Sequence, residues 1–528
     1  MSNDPTPAVG SDLGTTYTAV AHIDETGRPV TLVNAEGDLV TPSVVLFESD
    51  QAIVGKEALK ALSTEADHVA QCAKRELGER AFHKVLEGRV YPPEALQAFV
   101  LNKARRDATR HLGEFRKVVI TVPAYFDEVR RKATQDAGYM AGFEVLDIIN
   151  EPTAAAIAHG FHKGFLNRSG AADMAQKLLV YDLGGGTFDV TVMEVMGHDF
   201  IALATDGDVQ LGGQDWDLRL VNYVAEEFKK THGLDPREDA NTAGRLWREC
   251  EDAKRTLSAR SKVSISCDYR SLAMRVEITR DQFEDITQDL LDRTKFTTKQ
   301  TLGAAGLSWS DMDYVLMVGG STRMPMVAKM LRDLSGKEPD ASVSVDEAVA
   351  HGAALHAAVL LARSRGEISA INVKNVNSHS LGVVASDPRT MRRRNAILIP
   401  RNTALPAMAK RVFRTQKANQ KSILVQIVEG ESASPEDCSQ IGKCVVRDLP
   451  PDLPAQSPIE VRFAYQENGR LTVQVSVGGT NTELKHEITR DNSMTTEQLD
   501  AWRLYITGQQ ATEPQMQNSD DTLTVDEL

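Results

Sequence analysis

The chain has 528 residues, of which 41% are apolar and 25% are charged, so it is long enough for several domains with substantial cores. Its formal net charge of −14 argues against a nucleic-acid backbone as the main partner. No window approaches the roughly eighteen apolar residues of a membrane span, and the first residues lack the features of a signal peptide, so we expect a cytoplasmic protein outside the membrane.

Two glycine turns with matching flanks stand far apart in the chain. Ala8 to Val20 reads AVGSDLGTTYTAV, and Leu179 to Val192 reads LVYDLGGGTFDVTV. Each pattern predicts strand, tight turn and strand, and the inward backbone amides of such a turn suit a phosphate. Two of them predict a duplicated nucleotide-binding fold with its site between the halves.

An aspartate leads each turn, Asp12 in the first and Asp182 in the second. Each can simply stabilise its own turn, as aspartate before glycine commonly does. If both converge on one site, their repulsion requires a cation, and Mg²⁺ held through its waters would serve. The repetition of the pattern in matched contexts favours the phosphate site.

The segments after the first turn alternate between strand and helix patterns. Strand-forming runs span Val30 to Phe47, and residues 55–87 have a helical, basic pattern that contains Lys74. A lone lysine on a charged helix usually faces solvent. Another helix is predicted from Pro93 to Leu112 and a buried strand from Lys117 to Phe126.

Glu151 precedes a proline, and proline favours the first position of a helix. We therefore expect the helix to begin at Pro152, with Glu151 immediately before its first residue. The carboxylate there has two readings that the residues alone leave open. It can complement the helix dipole, or it can be presented to a reaction centre.

The second half continues with helices, strands and a third glycine turn. Helices are predicted through Lys230 and over residues 241–261, with short strands from Val263 to Ile278. Tyr314 to Pro325 predicts strand, glycine turn and helix, where amides can again meet a ligand. A helix from Val345 to Leu361 closes the first domain.

The rest of the chain has a different residue pattern, with strand signals in place of alternating strands and helices. A polar linker is followed by strand patterns; Ile459, Val461, Phe463 and Tyr465 share one strand face, and Asn468-Gly469 signals a hairpin. These patterns predict a β-sandwich. A short helix from Thr495 to Ile506 and an acidic tail, which we expect to be disordered, end the sequence.

The chain has five scattered cysteines, which predict reduced thiols: Cys72, Cys250, Cys267, Cys438 and Cys444.

Six motifs occur in order, namely DLGTTY, VPAYF, NEPTAAA, YDLGGGTFDV, AKRTLS and GGSTRMP, and a β-rich region follows them. Together they closely resemble the heat shock protein 70 family of ATP-driven chaperones, from about Ala8 to Asp491. The resemblance implies an α/β actin-like (ribonuclease H-like, duplicated) ATPase domain over 1–362 and a linker over 363–377. It further implies a β-sandwich peptide-binding domain over 378–492, then a short helix and acidic tail over 493–528, without the long helical lid.

The resemblance also assigns an ATP/ADP site with Mg²⁺, and it allows K⁺. The catalytic residues would be Lys74, Glu151, Asp182 and Thr187, with the magnesium waters ordered by Asp12 and Asp182. The residues that would contact the nucleotide are Asp12, Gly14, Thr15, Thr16, Tyr17, Gly184, Gly185, Gly186, Asp189, Glu251, Lys254, Arg255, Ser258, Gly319, Gly320, Ser321, Arg323 and Asp346.

Two further sets follow from the resemblance. Pro123 and Arg131 match residues that relay nucleotide state toward the linker, and Val383, Phe413, Ile423 and Val425 match the pocket that takes a side chain of an extended, unfolded polypeptide. The alternative for the second set is a plain sandwich core.

The chain departs from the family at surfaces that meet partners. The linker reads EISAIN, with Ile368 and Ile371 as its large apolar residues, so we expect weaker docking on the ATPase domain. Asp147 replaces an arginine that meets the J-domain co-chaperone, and the segment from Lys74 to Pro92 is short, which alters any exchange-factor site. Ser386 and Gln416 stand where an apolar arch usually closes over the peptide.

The sequence thus predicts an ATP-hydrolysing chaperone that binds extended apolar segments of other proteins. Without a lid, we expect peptides to exchange quickly. One alternative is a nucleotide-gated regulatory protein with a single dedicated partner. Another is a small-molecule kinase on the same fold, against which the β-sandwich argues.

Overall fold

A computed structural model of the chain describes residues 7–48, 51–164, 175–367, 371–387, 389–446, 449, 452–466, 471–477, 483–487, 494–510 and 514. Within them, two α/β halves form one unit and a β-sandwich forms a second. The predicted turn at Asn468-Gly469, linker residue Ile368 and nearly all of the acidic tail lie outside the described residues.

The first half is built on a mixed sheet with strand order β3-β2-β1-β8-β9, with β4 beside β2. Its strands and helices are β1 (Ala8–Leu13), β2 (Tyr17–Ile23), β3 (Pro29–Thr31), β4 (Thr41–Pro42), β5 (Val44–Glu48), β6 (Gln51–Val54), α1 (Lys56–Ala61), β7 (Val69–Gln71), α2 (Pro93–Leu112), β8 (Lys117–Val122), α3 (Glu128–Met140), β9 (Glu144–Asn150) and α4 (Glu151–His162).

The second half is built on a sheet with order β15-β10-β11-β12-β16. Its elements are β10 (Gln176–Leu183), β11 (Phe188–Met196), β12 (Asp199–Asp208), α5 (Gly213–His232), α6 (Ala240–Ala259), β13 (Lys262–Tyr269), β14 (Leu272–Thr279), α7 (Arg280–Ala304), β15 (Tyr314–Val318), α8 (Pro325–Ser335), α9 (Ala348–Ser364) and β16 (Asn372–Lys374).

The two sheets repeat one plan, as the sequence predicted. Strand β1 pairs antiparallel with β2 and parallel with β8, and β10 pairs antiparallel with β11 and parallel with β15. Helices α4 and α9 pack on each other and on strands of both sheets. Their alanine-rich faces are buried, which lets the backbones approach closely and joins the halves.

Three predicted helix assignments need correction. Residues 55–87 are not one helical segment, because only α1 is an α-helix there and β7 pairs with β5. Lys74 lies in a 3₁₀ turn, Ala73–Glu76, and is buried instead of facing solvent. Helix α4 begins at Glu151, and α9 is shifted three residues toward the C-terminus at both ends.

The linker docks as a strand. β16, Asn372–Lys374, pairs parallel with β12, and Asn372 N donates to His198 O at 2.9 Å. The preceding Ile371 is only 5% exposed and packs in the core beneath the second sheet. Backbone pairing therefore holds the linker where the sequence predicted little apolar contact.

The second unit is a sandwich of two four-stranded sheets, β18-β17-β20-β21 and β19-β22-β23-β24, around one core. The side chains predicted to share a face, Ile459 to Tyr465, are buried in that core. The strands are β17 (Leu381–Ser386), β18 (Arg393–Ile399), β19 (Ala407–Arg414), β20 (Ile423–Glu429), β21 (Ser439–Val446), β22 (Pro458–Tyr465), β23 (Leu471–Val477) and β24 (Glu483–Glu487).

Helix α10, Thr496–Ile506, follows the sandwich in the chain but packs on α2 and α3 of the first unit. Trp502 is 3% exposed, and its ring centroid lies 6.0 Å from that of Tyr91. Tyr505 meets Phe99 edge-on at 6.1 Å. The helix therefore completes the core of the first half, and the sandwich is attached to the first unit at both of its ends.

The described part of the chain contains no helix long and apolar enough to span a membrane, and the cytoplasmic location stays a prediction. All five cysteines are free thiols, as the sequence predicted.

We expect Trp502→Ala to destabilise the first unit, because it removes a large buried ring from a core whose neighbours cannot collapse into the space. The loss in free energy of unfolding should be about 3–5 kcal/mol. Chemical denaturation followed by circular dichroism measures it. Leu504→Ala, which truncates an exposed side chain of the same helix, is the control and should change stability by about 0.5 kcal/mol or less. Equal effects of the two substitutions would contradict the packing of α10.

Candidate active site

A cavity of about 580 Å³ lies between the two halves of the first unit. It is lined by 20 of the 22 residues predicted to contact nucleotide or act in catalysis. These are Asp12, Gly14, Thr15, Thr16, Tyr17, Lys74, Glu151, Asp182, Gly184, Gly185, Thr187, Glu251, Lys254, Arg255, Ser258, Gly319, Gly320, Ser321, Arg323 and Asp346. Gly186 and Asp189 are the exceptions and lie just behind the wall.

The two glycine turns meet at one end of this cavity. A Cβ on Gly185 would lie 1.9 Å from Thr16 Oγ1, and one on Gly186 would lie 2.4 Å from Thr15 Cγ2. No side chain fits at either position, so the glycines permit the contact. Gly213 N donates to Gly184 O at 3.0 Å, which ties the second turn to the start of α5.

Lys74 and Glu151 form a buried ion pair at the same end. Lys74 Nζ donates to Glu151 Oε1 at 2.6 Å, and both side chains are more than nine-tenths buried. Lys74 Nζ also lies 5.7 Å from the centre of the Phe126 ring. Glu151 therefore contacts a buried lysine inside the cavity, which favours the reaction-centre reading of this carboxylate.

The remaining carboxylates carry more negative charge than Lys74 can balance. Burial, followed by repulsion from Glu151, raises the pKa of Asp12 to about 7 and of Asp189 to about 8, and raises that of Asp182 well above its usual range. Thr121 Oγ1 donates to Asp12 Oδ1 at 3.2 Å, and Tyr125 N donates to Asp189 Oδ1 at 2.9 Å. Such a site favours a ligand that brings a cation.

The acids of this site do not form a metal-binding cluster within the described part of the chain. Among the described residues, no group of three or more His, Cys, Asp or Glu side chains is positioned to hold a metal ion together. A cation here would be held through water or by a bound ligand, as hydrated Mg²⁺ commonly is.

Two arginines, Arg255 and Arg323, line the cavity at its rim. Arg255 Nη2 donates to Tyr17 Oη at 2.7 Å and to Glu251, with the guanidinium 5.6 Å from the Tyr17 ring centre. Arg323 makes two 2.8 Å hydrogen bonds to Asp346. Both guanidinium planes are half-exposed at the rim, where a flat ring can stack on them.

Lys254 is held by two hydrogen bonds in the cavity wall. Its Nζ donates to Asp217 Oδ2 at 2.7 Å and to Gly213 O at 2.9 Å, and burial raises the pKa of Asp217 to about 6. Ser321 Oγ donates to Gly184 O at 2.9 Å and so joins the third glycine turn to the second.

Sequence reasoning missed several lining residues, including Asp217, Gln214 and Trp247. Trp247 carried a usable signal, since positions 247, 251, 254 and 258 share one face of α6. Asp217 and Gln214 had no such signal in the sequence, because their position in the cavity wall depends on how α5 packs against the second turn.

The sandwich contacts the first unit directly beside the site. His379 Nε2 donates to Tyr125 O at 2.9 Å, and the two rings lie 4.2 Å apart. Since Tyr125 N also donates to Asp189, one residue joins a carboxylate of the site to the sandwich. Arg401 adds an ion pair to Asp206 at 3.0 Å.

The predicted relay residues lie in the same region. Arg131 donates to Asn150 Oδ1, beside Glu151, and to the backbone carbonyl of Phe126 at 3.2 Å. Pro123 O accepts from Phe126 N at 3.1 Å. Both positions thus touch the Tyr125-Phe126 segment that meets the sandwich, and their role in the relay stays a prediction.

The residues predicted to contact peptide or partners are placed as follows. Val383, Ile423 and Val425 are buried in the sandwich core, and Phe413 packs against it. Gln416 Nε2 donates to Ser386 Oγ at 2.9 Å, so a polar bridge connects the predicted arch positions. Asp147 Oδ2 accepts from His356 Nε2 at 2.8 Å.

We expect the contact between the units to weaken as pH rises, because of Glu429. This side chain is buried against the start of α3, where Glu128 N donates to it at 3.1 Å, and burial and Asp127 raise its pKa well above the usual range. Protonated Glu429 favours the contact between the units. The contact is therefore stabilised at low pH and is lost as the pH rises through the pKa that Glu429 has when the units are in contact.

Glu429→Gln should reduce this dependence, because a neutral isostere has no proton to lose, while Asp189, whose pKa is about 8, still titrates beside Tyr125. The radius of gyration by small-angle X-ray scattering, followed from about pH 7 to about pH 9, measures it, since His379, whose pKa burial lowers, stays neutral there. Glu436→Gln changes an exposed acid of the sandwich and should keep the wild-type profile. Identical profiles for wild type and Glu429→Gln would show that Glu429 does not control the contact.

Comparison with known proteins places this chain in a family. The family model described as Hsp70 protein matches residues 8–526. The chaperone protein DnaK of Halobacterium salinarum is 39% identical over 500 residues, which cover 93% of this chain and 76% of that protein. The chaperone protein DnaK of Thermus thermophilus is 39% identical over 524 residues, which cover 93% of this chain and 82% of that protein.

Proposed function

The chain belongs to the Hsp70 family and is an ATP-dependent chaperone of that type, and we propose that the cavity between its two halves is where it binds and hydrolyses ATP. The buried Lys74 and Glu151 pair beside two facing glycine turns carries this proposal. A positive group and a carboxylate beside two glycine turns in a cavity of about 580 Å³ are suited to phosphoryl transfer to water.

In this proposal the two halves form the actin-like ATPase domain, and its two hairpin turns hold the phosphates. Residues 14–17 would contact them from one side and residues 184–187 from the other, through backbone amides and the hydroxyls of Thr15, Thr16 and Thr187. Lys74 would offset charge on the transferred phosphoryl group. Glu151, held by Lys74, would orient the attacking water or accept its proton.

The carboxylates fit Mg²⁺ as the companion of the nucleotide. The pKa values of Asp12 and Asp182 are raised by burial and then by repulsion from Glu151, and a cation beside them would relieve that repulsion. They would hold the ion through its waters. Bound Mg²⁺ supplies charge neutralisation at the phosphate oxygens.

The adenosine would occupy the opposite end. Arg255 and Arg323 would stack against the base from its two sides, and Glu251, Ser258 and the glycines of the third turn would line the pocket. Lys254 would hold Asp217 and Gly213 in place with two of its three N–H donors, and the third would be free for the nucleotide.

The sandwich would bind extended, apolar segments of unfolded polypeptides by strand-like contacts. The path from Asp189 through Tyr125 to His379, with the docked linker strand β16, would couple the state of the nucleotide to this unit. A J-domain co-chaperone would meet an altered surface, since Asp147 is paired with His356.

We expect Lys74→Ala and Glu151→Gln each to lower ATP turnover by about 10²-fold or more, because each removes a polar group acting at the reacting phosphate. Nucleotide binding should change little, since the turns and the adenosine end remain. Single-turnover hydrolysis and nucleotide affinity by isothermal titration calorimetry measure the two quantities. Lys60→Ala and Glu57→Gln alter an exposed ion pair on α1 and are matched controls. Unchanged turnover in both site variants would overturn these roles.

We further expect labelled apolar peptides to be released faster with ATP bound than with ADP bound. The reason is that nucleotide state alters the contact through Tyr125 and the linker. Fluorescence anisotropy with each nucleotide measures the release rates. ATP turnover without peptide binding under either nucleotide would contradict the peptide-binding part of the proposal.

A further inference from the structure

One end of the sandwich is strongly basic in a chain that is acidic overall. Residues 387–421 contain ten arginines and lysines and a single acid, Asp387, whereas the whole chain has a net charge of −14. We define the basic rim by six exposed members of this stretch, Arg389, Arg392, Arg393, Arg394, Arg414 and Lys417.

The six residues come together because two loops meet there. The loop after β17 returns to β18 with Ser386 paired to Arg393 and Ala385 to Arg394. Gln416 follows β19, and its side chain donates to Ser386 at 2.9 Å. That hydrogen bond places the loop holding Arg389 and Arg392 beside the segment holding Arg414 and Lys417.

Most of the positive charge of the rim is uncompensated. Arg394 pairs with Asp387 at 3.3 Å, and Arg393 lies close enough to Glu436 to attract its carboxylate. Within the described part of the chain, no ion pair involves Arg389, Arg392, Arg414 or Lys417. Four exposed cations at one end of a small unit create a local field that attracts negative groups.

The rim lies at the same end of the sandwich as residues of the predicted peptide pocket. Val383 is on β17, three residues before Ser386, and Ile423 begins β20, next to β17 in the sheet. Met391, 65% exposed, adds an apolar side chain within the arginine loop. We consider a polypeptide that passes under the hydrogen bond between Gln416 and Ser386. Its central apolar residues would contact apolar side chains of the sandwich, and the residues on either side of them would lie over the basic rim.

We propose that the basic rim selects extended polypeptide segments whose apolar core is flanked by aspartate or glutamate. The inference rests on the proposed peptide binding and adds the class of peptide. Acidic flanks would gain attraction at the rim, mainly through faster association, and basic flanks would be repelled. Both effects would weaken with salt, because the rim is exposed.

The test uses the full chain with ADP and two labelled peptides that share a Leu-Leu-Val core. One peptide has aspartates on both sides of the core, and its twin has lysines. We expect the aspartate peptide to bind at least about tenfold more tightly at about 50 mM salt, and the difference to shrink several-fold at about 300 mM. Fluorescence anisotropy measures both affinities.

Arg392→Glu/Lys417→Glu should reverse the preference, because it replaces two rim cations by anions while leaving the pocket intact. Arg260→Glu/Lys299→Glu makes the same charge change on exposed residues of the ATPase domain and should keep the wild-type preference. A circular dichroism melt verifies that both double variants fold.

The outcomes separate this inference from the proposed function. Equal affinity for both peptides, or an unchanged preference in the rim variant, would overturn the rim's role and leave peptide binding intact. Failure of both peptides to bind would overturn the proposed peptide binding itself. A single-stranded oligonucleotide that displaces the aspartate peptide at equal concentration would show a nucleic-acid surface instead and would also overturn the inference.

Discussion

The buried contact between Lys74 and Glu151 is the interaction on which the site depends. It places one ammonium group among four carboxylates, Glu151, Asp12, Asp182 and Asp189, where burial weakens solvation of every charge. Such a group of acids is stable only if some are protonated or if a cation arrives. The raised pKa values of the three aspartates express this shortage of positive charge, and a cation bound beside them would relieve it.

One chain of contacts leads from the carboxylates of the site to the second unit. Asp189 accepts from the backbone of Tyr125, and the carbonyl and ring of Tyr125 meet His379. The linker adds a strand beside β12, and α10 returns to the core of the first half. The sandwich is therefore held at its entry, at its exit and at one face, and a change at the site has a short physical path to it.

Much of the fold followed from local patterns, and the exceptions have a common cause. The paired glycine turns, the long helices α2 and α5 and the sandwich strands were all predicted, because each has a clear period or a diagnostic turn. The helical assignment for residues 55–87 failed because β7 has only three residues and is a strand through its pairing with β5. Lys74 was consequently predicted on a solvent-facing helix when judged by its neighbours alone.

The sequence by itself determined the two turns and the order of the motifs, since residue type and spacing specify turns and helix faces. The family resemblance added 22 site residues, of which 20 line the cavity. Only the tertiary structure decided the partners: Lys74 with Glu151, Lys254 with Asp217, Gln416 with Ser386, and Trp502 with a core more than 350 residues away in the chain. The physical reason is that burial and turn geometry are local properties of a chain, whereas ion pairs and packing contacts depend on distances that only the closed fold sets.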